Sequence, residues 1–235
     1  MVEIEKHSSL LGHQSSVNVV RFTQDGEFCV SGGDDRTIRL WNPHRRSVMA
    51  GGRRESSLLI KTYSGVHGYG VLDVVVSHNN EMFASAGHDK AIFLWDVTTG
   101  SLTRKVEGHS HRVNGLALNR YATVLASASY DQKVHLWDLR TKNRNPLQTL
   151  SDCKDSATSV TITDQAIVVG CVDGVLRTYD LRKGLLHADA LMDPIVSARL
   201  NSDESNIVSL CLGKNENGGN IYRTEIGLPR ASHSP

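Results

Sequence analysis

Histidine, serine and aspartate recur together three times along the chain, with the same spacing each time. The first set is His13, Ser31 and Asp35, so the serine follows the histidine by 18 residues and the aspartate follows it by 22. These are the residue types of a hydrolytic triad, in which histidine takes a proton from serine and aspartate orients the histidine. The other sets are His67, Ser85 and Asp89, and His109, Ser127 and Asp131.

Repetition of the set argues against catalysis. A catalytic triad occurs once and needs an exposed nucleophile beside an oxyanion hole. Here each set is completed by a tryptophan 28 residues after its histidine, namely Trp41, Trp95 or Trp137. No offset repeats the i, i+4 or Cys-His spacing of a zinc site. We therefore expect no enzyme activity, no metal, no cofactor and no small-molecule substrate.

The spacing between the sets defines a repeat. Trp41, Trp95, Trp137 and Tyr179 are separated by 54, 42 and 42 residues. The last three are followed by aspartate, and two of the three histidines follow glycine. A period of roughly 40–45 residues that opens with Gly-His and closes with Trp-Asp is the signature of the WD repeat.

Resemblance to WD repeats implies a structural role for these residues. In that family the aspartate of a tight turn bonds the histidine, the histidine bonds the serine, and the serine bonds the indole N–H, which leaves no buried polar group unpaired. The fourth unit keeps Asp173 and Tyr179 but has Ser151 and Val169 at the other two positions. We therefore expect three complete networks and a less rigid fourth blade.

Short strand-like segments with turn residues between them position these side chains. Each unit has three such segments, and an outer segment precedes each following histidine position, so that four antiparallel strands would form one β-propeller blade. The predicted fold is an all-β WD40 propeller of four four-stranded blades and a partial fifth. The predicted blades lie at about 13–63, 67–106, 109–150 and 151–190, with the partial one at 191–212.

The repeat pattern breaks in two places. The surplus length of the first step falls at 43–57, which we interpret as a flexible insertion loop. In the fifth unit the Trp-Asp position should lie near 221, where Ile221 and Tyr222 stand, and we expect 213–235 to be a disordered tail. Because WD propellers normally close with about seven blades, we expect this chain to be a shortened form.

Bulk properties favour a soluble intracellular protein. The chain has 235 residues and a formal net charge of +1, which argues against direct nucleic-acid binding through bulk charge. No apolar stretch is long enough to insert into a membrane. The four cysteines are scattered, so we expect them to be reduced and buried. The expected location is the cytoplasm, and the nucleus in addition.

Several longer segments resemble one family of WD proteins. They include 61–73, 87–96, 146–150 and 172–182. The family is that of the mitogen-activated protein kinase organizer, the WD repeat domain 83 proteins, and the resemblance covers about 11–212. It implies a non-enzymatic scaffold whose partners are components of a kinase cascade, spliceosomal proteins of mRNA splicing and an oxygen-sensing prolyl hydroxylase.

Candidate partner-binding residues lie in the loops next to the predicted networks. The residue before each turn aspartate is Asp34, His88, Tyr130 or Val172, and Arg112 follows the third histidine closely. Tyrosine and arginine are enriched in interface hot spots, so Tyr130 and Arg112 are the preferred candidates.

An alternative function comes from two Trp-Asp-x-Arg-like boxes on consecutive blades. Trp137 is followed by Asp138 and Arg140, and Tyr179 is followed by Asp180 and Arg182. This pattern resembles the adaptor-binding box of substrate receptors in cullin-RING ubiquitin ligases. The same residues could also stabilise a loop by ion pairing.

Overall fold

A computed structural model describes residues 9–48, 55–200, 206–212 and 220–225 of the chain. Strands and turns make up this part, and the strands form antiparallel sheets whose members follow one another in sequence. The chain divides into two compact units, Met1–Lys105 and Val106–Pro235. No helix in the described ranges has the length and apolarity needed to cross a lipid bilayer.

The first unit contains two sheets. Sheet 1 consists of β1 (Val17–Phe22), β2 (Cys29–Gly33), β3 (Ile38–Val48) and β4 (Glu55–Tyr63), paired in that order. Sheet 2 consists of β5 (Val71–Val76), β6 (Met82–Gly87), β7 (Ala91–Asp96) and β8 (Leu102–Glu107).

The second unit contains three sheets. Sheet 3 consists of β9 (Val113–Leu118), β10 (Val124–Ser129), β11 (Val134–Asp138) and β12 (Gln148–Leu150). Sheet 4 consists of β13 (Ala157–Ile162), β14 (Ala166–Cys171), β15 (Val175–Asp180) and β16 (Leu185–Ala190). Sheet 5 consists of β17 (Ile195–Leu200), β18 (Asn206–Cys211) and β19 (Asn220–Glu225).

Each unit has its own apolar core between successive sheets. In the first unit Val19 and Val30 of sheet 1 pack with Val71 and Val74 of sheet 2. In the second unit Ala128 of sheet 3 belongs to the same cluster as residues of sheet 4, and a further cluster joins sheets 4 and 5. The second strand of each four-stranded sheet is almost wholly buried, because it pairs with a strand on each edge and packs into the apolar core of its unit.

Polar side chains also tie neighbouring sheets together within each unit. Asn18 donates from Nδ2 to the carbonyl oxygen of Val71 at 2.9 Å, and Asn114 donates in the same way to Ala157 at 2.8 Å. These asparagines occupy the second position of β1 and β9, and therefore the repeat places equivalent ties at equivalent sites. Because a buried carbonyl otherwise loses its hydrogen bond to water, these contacts stabilise one sheet-to-sheet spacing.

The insertion predicted as a loop at 43–57 is in large part a β-hairpin extension. Strand β3 runs on to Val48 and β4 begins at Glu55, with Arg46 paired to Ser57 and Val48 paired to Glu55. The pairing shifts register after Asn42, so the extension is offset from the sheet by a bulge. Residues 49–54 lie outside the described part of the chain.

Strands β16 and β19 complete the comparison with the sequence. Strand β16 is the fourth strand of sheet 4, as a four-stranded fourth blade predicts, and its six residues are exposed. Strand β19 occupies 220–225 within the region expected to be a disordered tail, and the rest of that tail lies outside the described residues. The prediction of the tryptophan position near 221 is wrong. In sheet 3 Trp137 pairs with Leu125, the second residue of β10. The second residue of β18 is Ile207, which pairs with Thr224, so the equivalent position in sheet 5 is 224.

All four cysteines are buried and free of disulfide bonds, as their scattered spacing predicts. Burial raises the pKa of the Cys29 thiol to about 11. A thiol with such a pKa stays protonated at neutral pH, and it packs as a small apolar group.

Candidate functional site

The first predicted network is complete. The indole Nε1 of Trp41 donates to Ser31 Oγ at 2.8 Å, and His13 Nε2 lies 2.7 Å from the same oxygen. His13 Nδ1 lies 2.8 Å from Asp35 Oδ2. A carboxylate accepts hydrogen bonds only, so Nδ1 carries the proton and Nε2 accepts the serine O–H.

The second and third networks repeat this geometry. The Trp95 and Trp137 indoles donate to Ser85 and Ser127 at 2.8 and 2.9 Å. The histidine Nε2 atoms lie 2.8 Å from those oxygens in both networks, and the Nδ1 atoms lie 2.6 and 2.9 Å from the aspartates. The members are His67, Ser85, Asp89 and Trp95, and His109, Ser127, Asp131 and Trp137.

These hydrogen bonds connect Ser, His and Asp as a hydrolytic triad does. Burial nevertheless prevents the serine oxygens from attacking a substrate. Ser31, Ser85 and Ser127 are at most 1% exposed, and each Oγ accepts an indole N–H. A substrate carbonyl cannot reach such an oxygen, since attack needs an exposed nucleophile. The networks stabilise the sheets and offer no site for acyl transfer.

Glycine before the histidine has a packing role. A Cβ on Gly108 would lie 2.7 Å from the Trp137 ring, closer than real Cβ contacts allow. The glycine of the Gly-His dipeptide therefore leaves room for the indole ring to pack beside the histidine.

The aspartates also hold the turns between the second and third strands. Asp35 accepts the backbone N–H groups of Gln14 and Thr37, each at 3.1 Å. Burial raises the pKa of the Asp35 carboxyl, but hydrogen bonds from Thr37, His13 and the backbone outweigh it and lower the pKa to about 2. Asp131 follows the same pattern, and its pKa also lies below the ordinary range. Both carboxylates are therefore ionised at neutral pH.

Sequence reasoning missed the role of His135. Its ring stacks on His109 with centroids 4.2 Å apart, and its Nδ1 lies 2.9 Å from Thr149 Oγ1. His109, Asp131 and His135 bring potential ligand atoms within 4.8 Å of one another. Both His109 nitrogens already serve the network, and stacked rings do not aim their lone pairs at one point. A metal ion would have to break these hydrogen bonds, so the arrangement suits packing and not metal binding.

The fourth sheet replaces the missing histidine with an arginine. Arg177 donates from Nη1 and Nη2 to the two oxygens of Asp173, at 3.0 and 2.7 Å. Both side chains are at most 9% exposed. The Tyr179 hydroxyl donates to Asp152 at 2.9 Å. As the sequence predicts, the sheet lacks the histidine and serine of the other networks, but its turn aspartate keeps a charged partner.

The position of Arg177 in the repeat could have been used to predict its contact with Asp173. It stands two residues before Tyr179, where the first and third units have Arg39 and His135. Arg39 lies 3.8 Å from Asp35 in the first network. The position therefore faces the turn aspartate in every such unit, and the spacing of four residues from the aspartate could have revealed it.

The two preferred partner-binding residues lie in contact at one end of sheet 3. The Arg112 guanidinium lies 4.7 Å from the centre of the Tyr130 ring, and the His111 ring meets the same tyrosine edge-on at 5.7 Å. All three side chains are exposed, Tyr130 to 49%. We call His111, Arg112 and Tyr130 the arginine–tyrosine cluster.

Two of the remaining loop candidates, Asp34 and His88, are exposed but make different contacts. Asp34 accepts a hydrogen bond from Asn18 Nδ2 at 2.7 Å, so it helps to position the asparagine tie between sheets 1 and 2. His88 is exposed and follows β6 directly. Both belong to the first unit, and the arginine–tyrosine cluster belongs to the second.

The two arginine boxes have unequal geometry. Arg140 forms two hydrogen bonds to Asp138, at 3.1 and 3.2 Å, and its side chain is 69% exposed. Asp180 is buried and accepts the backbone N–H groups of Arg182 and Lys183. Both aspartates therefore close the turn after the third strand, which is the stabilising role of an Asp-x-Arg segment.

Comparison with known proteins agrees with the repeat. The family model for the WD domain, G-beta repeat, matches residues 5–42, 58–96 and 100–138. Among solved structures, U3-55K superposes with a TM-score of 0.72 at 22% identity, over 86% of this chain and 60% of that one. The RRP9 WD40 repeats superpose with a TM-score of 0.73, also at 22% identity, over 87% and 62%. The predicted WD40 propeller fold class is confirmed.

Several curated relatives from distant organisms share one name. WD repeat domain-containing protein 83 homolog of Dictyostelium discoideum is 31% identical over 90% of this chain and 70% of its own length. WD repeat domain-containing protein 83 of Xenopus tropicalis is 40% identical, and the human protein is 42% identical, each over 81% of this chain. The chain spans 57% and 56% of those two proteins. By this similarity over most of its length, the chain belongs to the WD repeat domain 83 family of WD40-repeat proteins.

Proposed function

We propose that the chain is a non-catalytic scaffold that binds other proteins through the arginine–tyrosine cluster. The observation that carries the proposal is the division of roles among its reactive residues. Every serine and histidine of the repeated networks is committed to a buried hydrogen bond. Arg112 and Tyr130 form instead an exposed, pre-ordered pair of the two residue types that dominate interface hot spots.

The resemblance to the kinase organizer family suggests the partners. We propose that they include components of a mitogen-activated protein kinase cascade and proteins of the splicing machinery, met in the cytoplasm and the nucleus. Support comes from family membership alone, and therefore each partner needs its own test.

The proposal predicts that the double variant Arg112→Ala, Tyr130→Ala loses at least one partner. Truncating a hot-spot residue costs about 2 kcal/mol or more, which is roughly a thirty-fold loss in affinity. Affinity purification with quantitative mass spectrometry measures the recovery of each partner.

The matched control is Arg120→Ala, Tyr121→Ala. These residues are also exposed, but they lie in the turn between β9 and β10, at the opposite end of the same sheet. We expect the control to retain all partners. Unchanged recovery in the cluster variant would contradict the proposed surface.

A second candidate function is that of a substrate receptor for a cullin-RING ubiquitin ligase. The exposed position of Arg140, held by Asp138, is the feature that favours it. If it holds, the ligase adaptor co-purifies with the chain and is lost from the variant Arg140→Ala, Arg182→Ala. Absence of the adaptor from the unmodified chain leaves both boxes with a turn-closing role only.

A further inference from the structure

Arg112 presents an open half of its guanidinium group to solvent. Its Nε donates to Asn114 Oδ1 at 3.2 Å, and its planar group lies over the Tyr130 ring. Within the described part of the chain, neither Nη atom makes a hydrogen bond or an ion pair. The two Nη groups therefore form a fork that can donate to one incoming acceptor group.

The fork is held in place by a chain of contacts that ends in the sheet. Asn114 uses its Nδ2 to bond Ser156 Oγ at 3.0 Å and the Ala157 carbonyl at 2.8 Å. Its Oδ1 is thus fixed as the acceptor for Arg112. On the other side, the Tyr130 backbone N–H donates to the Arg112 carbonyl at 3.0 Å, which ties the two loops together. A guanidinium held in this way loses little side-chain entropy when it binds.

The surroundings favour a negatively charged ligand. Lys133 lies in the same turn as Tyr130, and Lys154 lies two residues before Ser156; both are exposed. Asp131 is buried and occupied by His109 and backbone N–H groups. Asp155 is exposed, and one of its carboxylate oxygens accepts the Ser156 N–H at 2.6 Å. The exposed cationic side chains of these loops are thus Arg112, Lys133 and Lys154. The exposed acids are Asp155 and Asp152, and Asp152 already accepts the Tyr179 hydroxyl.

We propose that Arg112 binds a carboxylate of an acidic segment in the partner protein, with Tyr130 holding the guanidinium and Lys133 and Lys154 attracting further acidic residues. The inference rests on the proposed scaffold function and names the chemistry that its surface recognises. A planar fork matches a planar carboxylate through two parallel N–H···O bonds. Phosphate-reading sites use clusters of arginines, whereas this surface has one guanidinium.

The test uses the 235-residue chain and three fluorescein-labelled peptides. The first has three Glu-Glu-Gly-Leu repeats, the second has glutamine in place of glutamate, and the third has phosphoserine in place of half of the glutamates and serine in place of the rest. Fluorescence polarisation measures the dissociation constants. We expect the glutamate peptide to bind at least ten-fold tighter than the glutamine peptide, and binding to weaken as salt rises.

Variants separate the fork from its charge. Arg112→Lys keeps the charge but loses the fork and the stacking, and we expect roughly a ten-fold weaker affinity for the glutamate peptide. Tyr130→Phe keeps the ring and retains affinity, whereas Tyr130→Leu removes the support for the guanidinium and weakens affinity several-fold. Arg120→Lys, at the opposite end of sheet 3, leaves binding unchanged.

The outcomes distinguish this inference from the scaffold proposal. Equal binding of the glutamate and glutamine peptides, tighter binding of the phosphoserine peptide, or no effect of Arg112→Lys would overturn the carboxylate assignment. If partner recovery nevertheless falls in the double variant Arg112→Ala, Tyr130→Ala, the scaffold surface stands with a different ligand chemistry. If the glutamate peptide binds through Arg112 but partner recovery is unchanged, the scaffold surface is wrong and the anion site remains.

Discussion

At the residue scale, burial decides what the repeated Ser-His-Asp sets can do. The hydrogen-bond order is that of a hydrolase triad, yet each serine oxygen is sealed by an indole N–H. The sequence could predict these networks because their spacing repeats. The exchange of histidine for Arg177 was missed, because that arginine reaches Asp173 from a different position of the repeat, four residues after the aspartate.

Arg177 should be essential to the stability of the second unit. Arg177→Met leaves the Asp173 carboxylate buried without its countercharge, and such a loss costs about 3–5 kcal/mol. Adding Asp173→Asn to this variant removes the unpaired buried charge. We expect the double variant to regain part of the lost stability. Urea unfolding followed by circular dichroism measures the change in the free energy of unfolding.

The control for this prediction is Arg140→Met. Its ion pair with Asp138 lies at the surface, and little change is expected because water screens it. If the losses in the free energy of unfolding from Arg177→Met and Asp173→Asn simply add in the double variant, the pair does not act as a unit.

His135 should make stability depend on pH. Burial, with a smaller effect of the neighbouring His109, lowers the pKa of His135 to about 4, whereas an unfolded histidine titrates near 6.5. Between these values the unfolded chain binds a proton that the folded chain does not, so stability falls as pH drops from 6.5 towards 4. The expected loss is up to about 3 kcal/mol, measured by urea unfolding at a series of pH values.

His135→Phe provides the comparison for the pH series. Sheet 2 already has Phe93 at the equivalent position, with its ring 4.6 Å from His67. We expect the variant to lose less stability between pH 6.5 and 4 than the unmodified chain. Parallel curves for the two proteins would exclude His135 as the source.

At the element scale, the sequence predicted the inner strands well and the irregular ones poorly. The β-rich segments at 17–22, 71–76, 113–118 and 195–200 predict strands with the bounds of β1, β5, β9 and β17, because turn residues separate them from the next segment. The hairpin extension of β3 and β4 was missed because arginine, serine and glycine carry no alternating pattern. Strand β16 was expected as the fourth strand of its blade, but its bounds were not predicted, because its six residues are all exposed and no buried face marks it.

The hairpin extension should be removable. We predict that replacing residues 47–56 with Asn-Gly closes the hairpin at the Arg46–Ser57 pair and keeps sheet 1 intact. The free energy of unfolding should change by less than about 1 kcal/mol, since shortening a connection between two strands alters closure entropy only slightly. Thermal unfolding measures the effect. A large loss of stability would show that the extension packs against the core.

At the scale of the whole molecule, the period of the repeat was enough to predict the fold class, and it says little about the surface. Each unit follows the same scheme, in which an asparagine in the first strand ties one sheet to the next. Such ties repeat and can be inferred from spacing. The arginine–tyrosine cluster occurs in one unit only among the described residues, and its contact depends on how two loops meet. Sequence position suggested its members but could not show that they touch.

The three tryptophans give the chain built-in optical reporters. The chain contains three tryptophans, Trp41, Trp95 and Trp137, and each is at most 3% exposed. They lie in sheets 1, 2 and 3, one in each. Their fluorescence should therefore be blue-shifted in the native state and should report on sheets 1 to 3. Melting of sheets 4 and 5 alone would leave the emission unchanged. A spectroscopist who follows emission alone would thus observe one of the three sheets of the second unit and receive no signal from the other two.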